Sequence, residues 1–221
     1  NSLVKKANLA LYQSPDSMTV IADLMLTFSE QKKYKRGMAR AYTTLATYYS
    51  LTTNYKRAIK EFEKALILTQ ELEDEKLHAN VYNRLGNVYL KQSNLDLALA
   101  AYLKSMKIKE KINDLGGIVI AHNNISIIHM QSENFEKALE HAQIGYRIAN
   151  ENKLDNAKMQ IAFQLAWVMF ERNKDPQALA YVDSCIACAT RLGLEMGIYR
   201  AKELKASIYS DKEYSLEFGV V

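Results

Sequence analysis

The stretch ANVYNRLGNVYLKQSNLDLALAAYL, residues 79–103, holds two helical patterns separated by a short polar break. Tyr82, Leu85, Gly86 and Tyr89 fall at i, i+3, i+4 and i+7, which gathers them on one side of an α-helix. After the break, Ala98, Leu99, Tyr102 and Leu103 fall at i, i+1, i+4 and i+5, again along one side of a helix. Ser93 and Asn94 lie between, and such side chains start helices because their oxygens accept free backbone N–H groups. This window therefore reads as a helix–turn–helix unit.

The unit recurs every 40 residues. A small residue stands at Ala46, Gly86, Ser126, Ala166 and Ala206. One position earlier lie Leu45, Leu85, Ile125 and Leu165, a column that Lys205 breaks. Three positions later lie Tyr49, Tyr89, His129, Met169 and Tyr209, and a second small column runs through Ala58, Ala98, Ala138 and Ala178. Four columns in one frame are not a chance alignment. Polar breaks recur at Thr53-Asn54, Ser93-Asn94, Glu133-Asn134 and Asn173-Lys174-Asp175. Pro15 after Ser14 and Pro176 after Asp175 fit the first turn of a helix, where a missing N–H does no harm.

The series Tyr82…Leu85-Gly86…Tyr89…Ala98…Tyr102 resembles the tetratricopeptide pattern, with Tyr standing for its Trp and its Phe. That family usually repeats every 34 residues. A 40-residue period is similar to the long-repeat branch seen in kinesin light chains, polarity adaptors and the repeats ahead of bacterial histidine kinases and transcriptional regulators. The resemblance implies an all-α fold, a right-handed α-solenoid (superhelix) of stacked antiparallel helix pairs. Within a single domain over 1–221 it places a degenerate helix pair at 1–36 and repeats at about 37–74, 75–114, 115–155 and 156–195. A partial repeat at 196–221 ends as its second helix begins, so the sequence, which also starts at Asn1 rather than Met, reads as a fragment of a longer protein.

Composition narrows the function. Two Pro and 8 Gly in 221 residues favour long helices over a many-stranded sheet. The net charge of +4 is spread along the sequence with no basic stripe, so a nucleic-acid surface is not expected. No segment is apolar and long enough to span a membrane, and no signal peptide is visible; the compartment, cytoplasmic or bacterial periplasmic, stays open. Cys185 and Cys188 have CxxC spacing in a helical segment without a second ligand pair, which reads as packing thiols rather than a zinc site. His122 and His129 replace packing tyrosines, and a seven-residue separation puts them about 10 Å apart, too far to share a metal. His78 and His141 have no evident partner. With no phosphate loop, nucleophile elbow or H-E-x-x-H, neither catalysis, a cofactor nor a metal is expected. A catalytic domain outside this stretch remains open.

Recognition is left. In tetratricopeptide proteins the first helix of each pair lines a groove, through the residues between the packing positions. Those positions are polar in the first unit and carry Asn80, Asn83, Asn87 and Leu90 in the second. The third has Ile120, Asn123, Ile127 and Met130, and the fourth Gln160, Phe163, Trp167 and Phe170. Phe163, Trp167 and Phe170 share one helical face, while Ala162, Leu165, Ala166 and Met169 supply another. Two readings stay open for that aromatic face. A partner peptide or protein docks on it, with Asn80, Asn83, Asn87, Asn123 and Asn124 holding the peptide backbone. Alternatively, a missing segment of the same polypeptide or a homodimer mate covers it. Arg84 stands where a chaperone-tail clamp would carry Asn, which argues against that clamp, although Arg84 and Arg200 still suit an acidic ligand.

Overall fold

The computed structural model describes residues 15–172 and 175–218. The expected first half of the degenerate pair (residues 1–14, with Ser14), the break residues Asn173 and Lys174, and the C-terminal Gly219, Val220 and Val221 lie outside the described residues. Among the described residues there are ten α-helices: α1 (Pro15–Gln31), α2 (Lys35–Leu51), α3 (Tyr55–Glu71), α4 (Glu75–Lys91), α5 (Leu95–Lys111), α6 (Leu115–Gln131), α7 (Phe135–Glu151), α8 (Asp155–Glu171), α9 (Asp175–Leu192) and α10 (Glu195–Phe218). The all-α expectation holds, and the helices pack as consecutive pairs.

The period is finer than 40. Lys33, Thr53, Glu73, Ser93, Asn113, Glu133 and Lys153 all adopt a left-handed backbone, with φ between 51° and 60°, every twentieth residue. Each sits in a three-residue connection and lets the backbone reverse. The residue after it donates its N–H back across the last turn of the finished helix: Asn54 to the Tyr49 carbonyl at 2.8 Å, Asn94 to Tyr89 at 2.9 Å, Asn134 to His129 at 2.8 Å. The side chain of that same residue then opens the next helix. Asn54 accepts from the Arg57 N–H, Asp74 from Leu77, Asn94 from Leu97, Asp114 from Gly117 and Asn134 from Lys137. One residue therefore closes one helix and caps its successor.

The protein forms two compact units, Asn1–Ile112 and Asn113–Val221. Within the first, each of α1 to α5 packs against its neighbour, and α2 also touches α4. Helix pairs are clasped end to end by ion pairs between matching positions: Lys35 with Glu71 at 2.8 Å, and Glu75 with Lys111. The core between α2, α3 and α4 holds Ala46, Phe62, Ala65, Val81, Leu85 and Val88. Small and large residues compensate across each pair. Where the second helix presents the largest fully buried side chain, Tyr102, the small column carries its smallest member: a Cβ at Gly86 would lie 2.6 Å from the Tyr102 ring.

In the second unit α8 is the central helix, packed against α6, α7, α9 and α10. That position explains its all-round apolar sequence, since Ile161, Ala162, Leu165, Ala166, Val168 and Met169 are all buried. The matching clasp here is Asp155 with Arg191, a two-pronged pair at 2.7 and 2.9 Å. Cys185 and Cys188 are buried and unoxidised, as packing thiols should be. Burial pushes the Cys185 thiol up to about 11. The small column fails in the fifth unit: Ala206 is exposed, and α10 buries Ala201, Leu204 and Ile208 instead. A small residue closes a helix–helix gap only where a second helix packs on it, and among the described residues none does so here.

Two histidine expectations are corrected. His78 is not partnerless, because its Nδ1 lies 2.7 Å from the Thr69 hydroxyl. Nor is His141. It comes from α7 to sit between the two α6 histidines, its Nδ1 3.0 Å from His122 Nδ1 and its ring stacked on His129 at 5.6 Å. A contact across two Nδ1 atoms needs one ring to donate and the other to accept, so both rings cannot be protonated together. Columns of equivalent positions do not reveal this contact, because α7 and α6 are read separately along the sequence. Gly145 makes room for the cluster, since a Cβ there would lie 3.2 Å from His122.

Burial and the neighbouring His141 lower the His122 pKa from 6.5 to about 4. Burial, with Lys137, also lowers His129 and His141, partly opposed by Glu140. These rings are neutral in the native protein where the unfolded polypeptide would bind protons. Stability is therefore complete above about pH 6.5 and is lost as the pH falls toward 4, with about 3 kcal/mol linked to buried His122 alone. Urea denaturation at pH 7.5 and pH 4.5 should show this loss, and His122→Gln should flatten most of the slope. Gly86→Ala should destabilise by about 1–2 kcal/mol, its steric conflict with Tyr102 exceeding the helix-propensity gain. Thr53→Gly should stabilise by about 1 kcal/mol, because it relieves a β-branched residue in the left-handed region; thermal unfolding of both variants reads the two signs.

Candidate functional site

In the second unit, α6, α8, α9 and α10 enclose an open cavity of about 260 Å³. Asn123 and Ile127 reach it from α6, one turn apart. Met159, Gln160, Phe163 and Gln164 enter from α8, whose 3.6-residue turn sets these four on adjoining faces. Cys185 closes the floor from α9, and Gly197 and Arg200 come from α10. The Arg200 guanidinium lies 5.2 Å from the Phe163 ring centroid, a cation over an aromatic face. Gln164 is buried, and its amide donates to the Ser126 hydroxyl at 3.3 Å, which in turn donates to the Ala138 carbonyl at 2.8 Å. These two bonds tie the cavity wall to the α6–α7 packing.

Five of the residues singled out by sequence meet here: Asn123, Ile127, Gln160, Phe163 and Arg200. Asn124, Met130, Trp167 and Phe170 belong to the same unit but do not line the cavity. Asn124 accepts a long hydrogen bond from Asn123, 3.5 Å. Trp167 and Phe170 meet edge to face at 6.4 Å. Of the three aromatics only Trp167 is exposed, at 40%, because Phe163 and Phe170 are packed against the unit's own core.

Sequence reasoning missed Met159, Gln164, Cys185 and Gly197. Gln164 was within reach, because it occupies the same repeat position as Arg84 and Asn124. Met159 was not. Its counterparts Ala39, Ala79 and Val119 are buried, and only the larger side chain in the fourth unit reaches the cavity. Gly197 matters through what it lacks, since a Cβ there would lie 3.0 Å from the Met159 sulfur.

The remaining candidates lie on α4 of the first unit. Asn80, Arg84 and Asn87 are exposed along one face, with Asn83 half-buried beside them. Arg84 donates to the Thr47 hydroxyl at 3.4 Å. Asn87 has a structural duty, because its amide oxygen accepts the Tyr102 hydroxyl at 2.7 Å. Burial raises the Tyr102 pKa, so that hydroxyl stays a donor. A second cavity in this unit, about 400 Å³, lies between Thr69, Glu73, Glu75, His78 and Lys111 and includes none of the sequence candidates.

The family model described as "Tetratricopeptide repeat" matches residues 37–111. No curated protein matches the sequence. Among solved structures, the apo form of RapI is similar with a TM-score of 0.76 and 18% identity over 93% of this protein and 57% of its own length. A Rap protein complexed with competence and sporulation factor is similar with a TM-score of 0.68 and 15% identity, over 94% of this protein and 64% of its own length. BtubC (BKLC) from P. vanneervenii gives a TM-score of 0.57 and 17% identity over 93% of this protein and 88% of its own length. The 221 residues thus span less than two thirds of either Rap protein. Residues 37–111 carry the tetratricopeptide-repeat signature, and the described helices on both sides of them continue the same consecutive pairing in an all-α fold similar to that of the Rap structures.

Proposed function

We propose that the protein is a non-catalytic peptide- or protein-binding module, the sensor or regulatory region of a larger bacterial signalling protein. The observation that carries this reading is the cavity in the second unit. It combines apolar walls with a few convergent polar groups, the usual makeup of a recognition site. One of the similar Rap structures is complexed with competence and sporulation factor, which supports a partner-binding use of the fold here. The lining residues Asn123, Ile127, Gln160, Phe163 and Arg200 form the core of the site, with Asn124, Met130, Trp167 and Phe170 beside it. Asn80, Asn83, Arg84 and Asn87 offer a second polar face on the other unit.

Trp167 favours a second reading, in which its exposed ring joins two copies of the protein or docks a further segment of it. The two readings separate experimentally. Trp167 is the only tryptophan, so its fluorescence reports on the second unit alone. A short-peptide library should contain members that are retained by the protein and shift that emission, and Phe163→Ala should weaken them about tenfold. A library with no retained member, together with a dimer that Trp167→Ala converts to monomer by size-exclusion chromatography, would replace the peptide reading with the scaffold.

A further inference from the structure

The imidazole cluster sits on the contact that holds α6 to α7, beside the cavity wall. His122 and His141 meet Nδ1 to Nδ1 at 3.0 Å, and His129 stacks on His141 at 5.6 Å. One turn further along α6, the Ser126 hydroxyl donates to the Ala138 carbonyl of α7 at 2.8 Å. Two successive side-chain contacts thus join the helices, and both lead to the cavity. Asn123, which lines it, follows His122 directly in α6. Gln164, which lines it from α8, donates to the same Ser126 hydroxyl at 3.3 Å. Ile161 of α8 and His122 close on Gly145 of α7, where a Cβ would lie 3.1 and 3.2 Å from them.

Protons break the first of these contacts. With both rings neutral, one Nδ1 donates and the other accepts; with both protonated, two N–H groups face each other at 3.0 Å. His122 is 8% exposed, so water cannot replace the lost bond while the helices stay closed. The groups facing the cluster are Lys137 and Glu140 of α7, which act on His129 and His141 in opposite directions, and apolar Ile161 of α8. Protons therefore bind preferentially where α6 and α7 have parted, and a local opening costs less than global unfolding. With the His122 pKa at about 4 when closed and 6.5 when solvated, going from pH 7.5 to pH 4.5 raises the opening equilibrium about seventyfold through that ring alone.

We infer that the His122–His141 contact is an acid-operated latch on the cavity: when both rings are protonated, α6 parts from α7, the Asn123 and Gln164 wall comes away, and the first unit stays folded. The Ser126 hydroxyl transmits the opening, since it bonds to α7 on one side and to Gln164 of α8 on the other. The latch makes occupancy of the cavity pH-dependent, and this use of it rests on the peptide-binding reading above.

An NMR titration of the 221-residue protein from pH 7.5 to pH 4.5, with no ligand added, tests the latch itself. The Gly145 amide, the side-chain amides of Asn123 and Gln164 and the Met159 methyl should change together, while the Gly86 amide of the first unit holds its position. His122→Gln, whose fold the pH 7.5 spectrum checks, should remove that shared transition, and His141→Gln serves the same purpose should the first variant fail to fold. Cavity signals that stay fixed down to pH 4.5, that move only in step with Gly86, or that move as in the wild type when a ring is replaced would overturn the inference. A second arm uses the short-peptide library. Peptides retained at pH 7.5 should bind severalfold more weakly at pH 4.5 to the wild type and lose that dependence in His122→Gln, which controls for titration of the peptides themselves. Retained peptides that bind the wild type equally at both pH values would overturn the latch while leaving peptide binding intact. A cavity that opens as expected while no library peptide is retained at pH 7.5 would remove the peptide reading and leave the latch standing.

Discussion

The described reversals of the backbone use one conformation. A residue with positive φ at every twentieth position from Lys33 to Lys153 sets the length of the helices between them, seventeen residues each for α2 through α7. Equal lengths keep the columns of equivalent side chains in step. Without them, Gly86 would not face Tyr102, and α8 would not bring four residues to one cavity. Seven non-glycine residues hold a conformation that costs each of them roughly 1 kcal/mol, and the helices offset this by packing. The capping residue that follows softens the cost, because it ends one helix and starts the next with the same few atoms.

On that frame each helix pair solves its packing differently. Gly86 makes way for Tyr102 in α4–α5, whereas Gly145 in α7 makes way for His122 and Ile161. The third pair packs three imidazoles together, two of them at positions where the first and second pairs carry Tyr42, Tyr49, Tyr82 and Tyr89, and so acquires a pH dependence that tyrosines would not give. The fourth pair grows outward instead. Met159 and Phe163 stand where the second pair has Ala79 and Asn83, and these larger side chains turn a packed surface into a lined cavity. The cavity owes its lining to substitutions in the fourth unit rather than to the residues that define the repeat.

Much of this was legible from the residues alone. The columns through Ala46, Gly86, Ser126 and Ala166 locate every first helix, and the Asn54, Asn94 and Asn134 caps locate the turns. Periodicity reports the faces of single helices well, and that is why five cavity residues could be named. It reports contacts between helices poorly. The His122–His141 bond joins two elements, Cys185 enters from a second helix, outside the groove pattern, and the Tyr102 hydroxyl that donates to Asn87 comes from the neighbouring helix. Ala206 shows the converse: a position can obey the pattern and still be exposed, because burial depends on a neighbour as well as on spacing.

The end clasps of the first unit alternate in sign. Lys35 at the start of α2 meets Glu71 at the end of α3, while Glu75 at the start of α4 meets Lys111 at the end of α5. Near-identical helices invite the polypeptide to pair the wrong ones as it collapses. Joining α2 to α5 would set Lys35 against Lys111, a meeting of like charges. Exposed pairs of this kind add little to the depth of the native state. Their alternation works as an address, telling each second helix which first helix is its own.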